Sequence, residues 1–343
     1  MRVLVDLTHP AQVHFFKHAV RRFEAAGDRV LVTSRDKDVE LALLEALGID
    51  GRCLSRARRG LGGLAVELVE RNLRMLAVAR RFRPDVLVAR MGISIGLPGL
   101  LLRVPRVVFE DTEHARLQAA LSLPFATQIV TGTGYTRDHG ARQVRFRGYP
   151  VLAYLAPDRF HPDPEALRRH GLAPDRPFVV VRTVAWQAAH DVGVDRSSPD
   201  DLRRAIDRLG RHGRVVVSTE GELPPDLAPL ANPVPVADVH HLLAFARLFL
   251  GESGTMAAEA AVLGTPAVYC NPLRTGYLES LARDHGLVRL CDRLADGIGV
   301  AEELLARPDL PREWAARRRA MLEASEDVVE AMVRVVRDAA RAG

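Results

Sequence analysis

Short runs of apolar residues alternate along this chain with longer segments whose apolar positions recur every three or four residues. The first pattern predicts buried strands and the second amphipathic helices. Val3-Leu4-Val5 reads as a strand, followed by a loop around Thr8-His9-Pro10 and a helix over about Gln12 to Ala26, stopped by Gly27. A strand at Arg29 to Thr33, a helix at Asp38 to Leu47 closed by Gly48, and a long amphipathic helix at Gly63 to Phe82 come next. Val86 to Ala89, Arg106 to Phe109 and Gln128 to Val130 read as further strands. Strands alternating with helices predict a parallel sheet covered on both faces.

Between Pro150 and Pro177 six prolines fall close together, and a short helix near Glu165 to His170 is the one regular element expected there. Beyond this connection the scheme repeats. Strands are expected at Phe178 to Val181, Val215 to Ser218, Leu248 to Leu250 and Pro266 to Cys270. Helices are expected at Pro199 to Leu209, His240 to Ala246 and Thr255 to Leu263, with a largely helical tail from Pro311 to Ala342. The expectation is α/β with two Rossmann-like domains, residues 1–155 and 156–343, facing a central cleft, the terminal helix packing back on the first domain. Ligands of such sheets bind outside the carboxyl ends of the strands, so the loops after strands carry the candidate chemistry.

A chain of 343 residues with 48% hydrophobic and 27% charged residues has the balance of a globular protein. Cys53, Cys270 and Cys291 form no CxxC pair, which suggests neither a disulfide framework nor a structural zinc site and fits a reducing cytosol. No basic start followed by an apolar stretch marks a signal peptide. The most apolar region, Gly92 to Phe109, is interrupted by Pro98, Arg103, Pro105 and Arg106 and makes a poor membrane span. Up to Ala156 the chain has 24 Lys+Arg against 15 Asp+Glu, a surplus of nine; the remainder is acidic, leaving +5 in all. Arg52, Arg56, Arg58, Arg59, Arg71, Arg74, Arg80, Arg81 and Arg83 bracket a helix carrying Leu64, Leu68, Leu73, Met75 and Leu76. That combination suits peripheral contact with an anionic membrane, or an ordinary surface helix. Interleaved aromatics and a recognisable nucleic-acid module are lacking, so no nucleic-acid partner is expected.

Four constellations follow strands. The first is Gly251 to Ala261, GESGTMAAEAA. Ser253 is placed to cap a helix whose first N–H groups, at Gly254 and Thr255, can hold a diphosphate. Glu259, in the second turn, can accept hydrogen bonds from the vicinal hydroxyls of a ribose. This is no GxSxG elbow, so Ser253 is not read as a nucleophile. The second is Glu110-Asp111-Thr112-Glu113-His114, whose crowded carboxylates must raise at least one pKa. Asp111 and Glu113 are the acid–base candidates, with His114 beside them. In the third, Thr8-His9-Pro10-Ala11-Gln12-Val13-His14, His9 is a candidate base, Thr8 and His14 candidate substrate contacts, and His14 with His18 too small a set for a metal site. The fourth runs from Arg182 through Trp186 to His190 and Asp191. Arg182 can neutralise a diphosphate, and His190 can touch phosphate or sugar. Ser218-Thr219-Glu220 also follows a strand, and Val236 to His240 is expected to contribute mainly backbone contacts to a base pocket.

GESGTMAAEAAVLGTPAVY resembles the nucleotide-binding segment of the superfamily that holds UDP-N-acetylglucosamine 2-epimerases and glycosyltransferase-B enzymes. The resemblance puts Ser253, Gly254 and Thr255 at the diphosphate and Glu259 on the ribose. Over nearly its whole length, through DLTHPAQVHFFKHAV, EDTEHARL, GYPVLAYLAPDRFHPD, WQAAHDVG and GESGT, the chain resembles an uncharacterised prokaryotic family of predicted glycosyltransferase-like proteins. It implies a glycosyltransferase-B architecture and a UDP-linked sugar as substrate rather than a resident cofactor, with a sugar or lipid-linked acceptor and no metal. The acidic Pro-Glu-Glu-x-Asn-Arg motif of the epimerases is missing, and Ser122 to Thr127 holds no carboxylate. Transfer is therefore expected ahead of epimerisation or hydrolysis, and ahead of binding without catalysis.

Overall fold

The structure, a computed structural model, describes residues 1–36, 39–58, 60–184, 197–219 and 221–343. The chain forms two compact units, Met1–Tyr154 with Ser325–Gly343, and Leu155–Ala324. The first break falls one residue before the boundary expected at 155, and the last 19 residues belong to unit 1.

Unit 1 begins β1 (Arg2–Asp6), α1 (Pro10–Ala25), β2 (Arg29–Asp36), α2 (Glu40–Ala46), β3 (Gly51–Arg56) and α3 (Gly60–Phe82). It continues β4 (Val86–Arg90), α4 (Ile93–Leu102), β5 (Arg106–Glu110), α5 (Arg116–Ser122), β6 (Gln128–Thr131) and β7 (Gln143–Arg145). All neighbours are parallel, in the order β3-β2-β1-β4-β5-β6-β7. Central strands such as Val86-Leu87-Val88-Ala89 are buried at every position because helices cover both faces. Met75, Val78, Ala79, Ile95, Ala119 and Leu123 of α3, α4 and the α5 region meet Leu4, Leu87, Val108 and Ile129 on one face.

The link between units holds α6 (Leu152–Leu155). Unit 2 continues α7 (Pro164–Arg168), β8 (Phe178–Thr183), α8 (Pro199–Leu209), β9 (Arg214–Thr219), α9 (Val239–Phe245) and β10 (Leu248–Gly251). It ends α10 (Gly254–Leu263), β11 (Ala267–Cys270), α11 (Gly276–Arg283), β12 (Val288–Cys291), α12 (Leu294–Leu305) and α13 (Leu310–Glu323). Its parallel sheet runs β12-β11-β10-β8-β9. The tail, expected to be largely helical, is broken at 324–327: Asp327 accepts a 3.0 Å hydrogen bond from the Glu330 N–H and starts α14 (Val328–Ala342), which returns to unit 1. There Met332 and Val336 face Phe16, Val20, Val88 and Phe109.

The basic stretch around α3 is not all surface. Arg71 is buried, where it pairs with Asp6 and donates to the carbonyls of Leu7 and Ser34 at 2.9 Å and to the hydroxyls of Ser55 at 3.1 Å and Ser94 at 3.0 Å. One guanidinium thus ties β1, β2, β3 and α4 together, its charge and donors satisfied. No helix among the described residues is long and apolar enough to cross a membrane.

Candidate functional site

In each sheet the strand order reverses once. In unit 1 this happens between β1 and β4, in unit 2 between β8 and β10. Loops leaving two such strands diverge to opposite faces and open a crevice at the carboxyl edge.

In unit 2 the two strands at the reversal are held very close. The Glu252 N–H donates to the Arg182 carbonyl at 3.0 Å, and the Glu252 carboxylate accepts from the Val184 N–H at 2.9 Å. A Cβ on Gly251 would stand 2.5 Å from the Arg182 carbonyl oxygen, so only glycine fits at the end of β10. The chain then turns at Ser253, whose hydroxyl accepts from the Met256 N–H at 3.4 Å and caps α10. Ser253, Gly254 and Thr255 remain half-buried at this N-terminus. Arg182 donates to the Ser218 hydroxyl at 2.9 Å, placing its guanidinium at the same edge. Asn271, after β11, donates to the Glu252 carbonyl at 3.2 Å and fixes the loop from the other side.

Glu259 lies one turn further into α10 and is buried. Its carboxylate faces the His240 Nε2 at 3.1 Å, and the His240 ring stands edge-on to Phe160 at 6.0 Å. His240, in a stretch expected to contribute mainly backbone contacts, meets this carboxylate through its side chain. His190, with Trp186 and Asp191, lies outside the described residues, as does Glu220.

In unit 1 the loops after β1, β4, β5 and β6 are linked in series. Thr8 donates to the Gln12 side-chain oxygen from its N–H at 2.8 Å, and Gln12 donates to the Arg90 carbonyl at 3.1 Å. Arg90 grips both oxygens of Asp111 and stacks over Phe15 with 5.2 Å to the ring centre. Glu113 accepts from the Thr136 N–H at 3.2 Å. His9 is the exposed N-cap of α1, its Nδ1 accepting from the Ala11 N–H at 3.2 Å. His14 is buried beside the Tyr154 ring, 5.5 Å between centres, and His114 is exposed.

The perturbed carboxyl is Glu110, one residue before the candidates named from sequence. Burial first, then the charges of Asp111 and Glu113, push it up to about 8 against the opposing Thr112 N–H and Arg90. Its Oε1 accepts from the Thr112 N–H at 3.0 Å; its Oε2 is buried with no hydrogen-bond partner among the described residues. A neutral carboxyl at the carboxyl edge of β5 can give or take a proton near neutrality. Asp111 is tied up by Arg90. Sequence reasoning passed over Glu110 because it looks no different from its acidic neighbours; β5 runs one residue further than expected and buries it, and burial is its signal.

The chain belongs to the family described as protein of unknown function (DUF354), which matches residues 1–341. A relative, the uncharacterized protein MJ0665 of Methanocaldococcus jannaschii, is 26% identical over 283 residues, covering 79% of this chain and 82% of its own. Solved structures with the same fold include the UDP-GlcNAc 2-epimerase from Neisseria meningitidis bound to UDP-GlcNAc, at 14% identity, covering 97% of this chain and 100% of that one with a TM-score of 0.72. The UDP-GlcNAc 2-epimerase from Methanocaldococcus jannaschii shares 13% identity, covers 98% and 99%, and has a TM-score of 0.66. The glycosyltransferase VinC in complex with DTDP shares 14% identity, covers 100% of both chains and has a TM-score of 0.66. The fold is that of two Rossmann-like domains found in glycosyltransferase-B enzymes and these epimerases.

Proposed function

We propose that this member of the DUF354 family is a glycosyltransferase that uses a nucleotide-activated sugar, UDP-linked, as donor. The reading rests on the reversal point of unit 2, where a Ser253-capped helix start, Arg182 and the buried Glu259–His240 pair lie on one sheet edge. The diphosphate would lie against the N–H groups of Gly254 and Thr255 with Arg182 meeting its charge. Glu259, oriented by His240, would accept from the ribose hydroxyls. The helix end and Arg182 meet the leaving-group charge without calling on a metal ion.

Unit 1 supplies the proton chemistry. Glu110 takes the proton of an acceptor hydroxyl, on a sugar or a lipid-linked acceptor. Transfer needs one such base, whereas inverting a ring carbon by proton removal and return needs an acid–base pair. Asp111 is committed to Arg90, and Glu110 is raised toward neutrality. A base ionising at about 8 gives a rate that climbs with pH and levels off above that value. A second reading, an epimerase or hydrolase acting on the donor itself, draws support from the proton that Glu110 carries at pH 7.

The test is thermal unfolding with nucleoside diphosphates and nucleotide sugars, on the wild type and Glu259→Gln. A nucleotide at about a hundred times its dissociation constant stabilises by about 2.7 kcal/mol. Uridine ligands should raise the melting temperature of wild type and do so much less in the variant. A folded wild type indifferent to every nucleotide sinks the reading. Product formed from the donor alone, without acceptor, would select the second one.

A further inference from the structure

We propose that the outer face of α3, α4 and α5 in unit 1 docks the protein on an anionic lipid bilayer. Of 13 exposed large apolar side chains among the described residues, nine lie on these helices, which span 40 of the 343 residues. Single exposed apolar residues are ordinary; this concentration on one layer is not.

The helix geometry makes the face continuous. Val66, Val69 and Leu73 are spaced three and four apart and form one stripe along α3, with Leu73 64% exposed. α4 packs beside α3 and presents Leu100 and Leu101; α5 packs beside α4 and presents Leu117 at 72% exposure. The same helices fill the core with their other faces, so the outer residues are surplus to folding.

The charge on this face has one sign. α4 contains no ionisable residue and is followed by exposed Arg103; α5 starts at exposed Arg116; α3 ends with exposed Arg80 and Arg81. The two carboxylates of α3 are already committed, Glu67 buried against Arg35 and Glu70 paired with Arg58 and Arg74. Arg74 follows Leu73 by one residue, about 100° round the helix, and Arg81, seven residues further on, lies on the same side as Arg74. With Arg52 they line a cavity of about 460 Å³ that has no carboxylate in its wall. Arg74 is held by Glu70 and the Leu54 carbonyl, so Arg52 and Arg81 supply the charge that meets a phosphate-bearing headgroup here while the stripe beside it enters the acyl boundary.

A second copy of the chain is the poorer occupant. A two-fold contact would bring this basic rim against itself, which like charges oppose.

Flotation of the full-length protein with phosphatidylcholine vesicles, alone or mixed with phosphatidylglycerol, tests the assignment. Wild type should float with the mixed vesicles, less so in high salt, and stay behind with phosphatidylcholine alone. Replacing Arg80 or Arg81 by Ala should weaken the association about fivefold each, and Leu73→Glu with Leu100→Glu should abolish it. Should that double variant fail to melt cooperatively, Leu117→Glu takes its place. Wild type that does not float, or glutamate variants that float equally well, would overturn the proposal. So would a wild-type dimer that Leu73→Glu splits into monomers, which would assign the face to a second copy.

Discussion

Replacing Glu110 by Gln keeps the shape of the protonated carboxyl and removes its titration. In the unfolded chain this group ionises near 4.5, in the folded protein at about 8. Between those values the unfolded chain has lost the proton while the folded protein retains it. The folded state binds more protons, so stability falls as pH rises through this window. From about pH 5.5 to about pH 8.5 the loss integrates to about 3 kcal/mol, an order-of-magnitude figure at about 1.4 kcal/mol per pH unit. The glutamine variant escapes it. Glu40, pushed up to about 7 by burial, titrates in both proteins and cancels from the difference. For a domain the size of unit 1, about 1 kcal/mol moves the melting temperature by roughly 2–4 °C. Calorimetry at the two pH values should therefore show the variant gaining on wild type by roughly 6–12 °C in the unit 1 transition. A gap that stays the same at both pH values would refute a Glu110 ionising near 8, and with it the base assigned to the site.

Two other outcomes follow from single contacts. Arg71→Ala strands the buried Asp6 carboxylate and should cost about 3–5 kcal/mol in chemical denaturation, most of it recovered when Asp6→Asn is added. Gly251→Ala forces the ends of β8 and β10 apart at the Arg182 carbonyl. It should lower the melting temperature of unit 2 and weaken nucleotide binding together, whereas Gly299→Ala, with nothing within 4 Å of the added carbon, should leave both unchanged.

The central strands were legible because Val, Leu and Phe at every position can mean only burial on both faces, as at Val86–Ala89 and Phe178–Val181. Three of the four edge strands, β3, β7 and β12, were missed for the complementary reason. They face solvent on one side, so GRCLSR, QVR and VRLC carry polar interruptions and no clean alternation. α4 escaped notice because ISIGLPGLLL is apolar all round and includes Pro98, which hides the helical period. The candidate site divides along the same line. Ser253 sits where a strand hands over to a helix, and that position can be read locally. Glu110 and His240 cannot be read so: one is marked by the packing around it, the other by a partner 19 residues away.

Unit 1 is interrupted in sequence, and this sets an order of events on the ribosome. The face of its sheet and of α1 that carries Phe16, Val20, Val88 and Phe109 is covered by α14, which emerges only after all 170 residues of unit 2 have been made. At ~5–20 residues per second that is a delay of roughly 10–35 s. During it the nascent chain presents a greasy sheet surface that its own last helix will eventually seal. A truncation before Val328 would make that exposure permanent, so a stalled or clipped product should be a chaperone client rather than a smaller working protein.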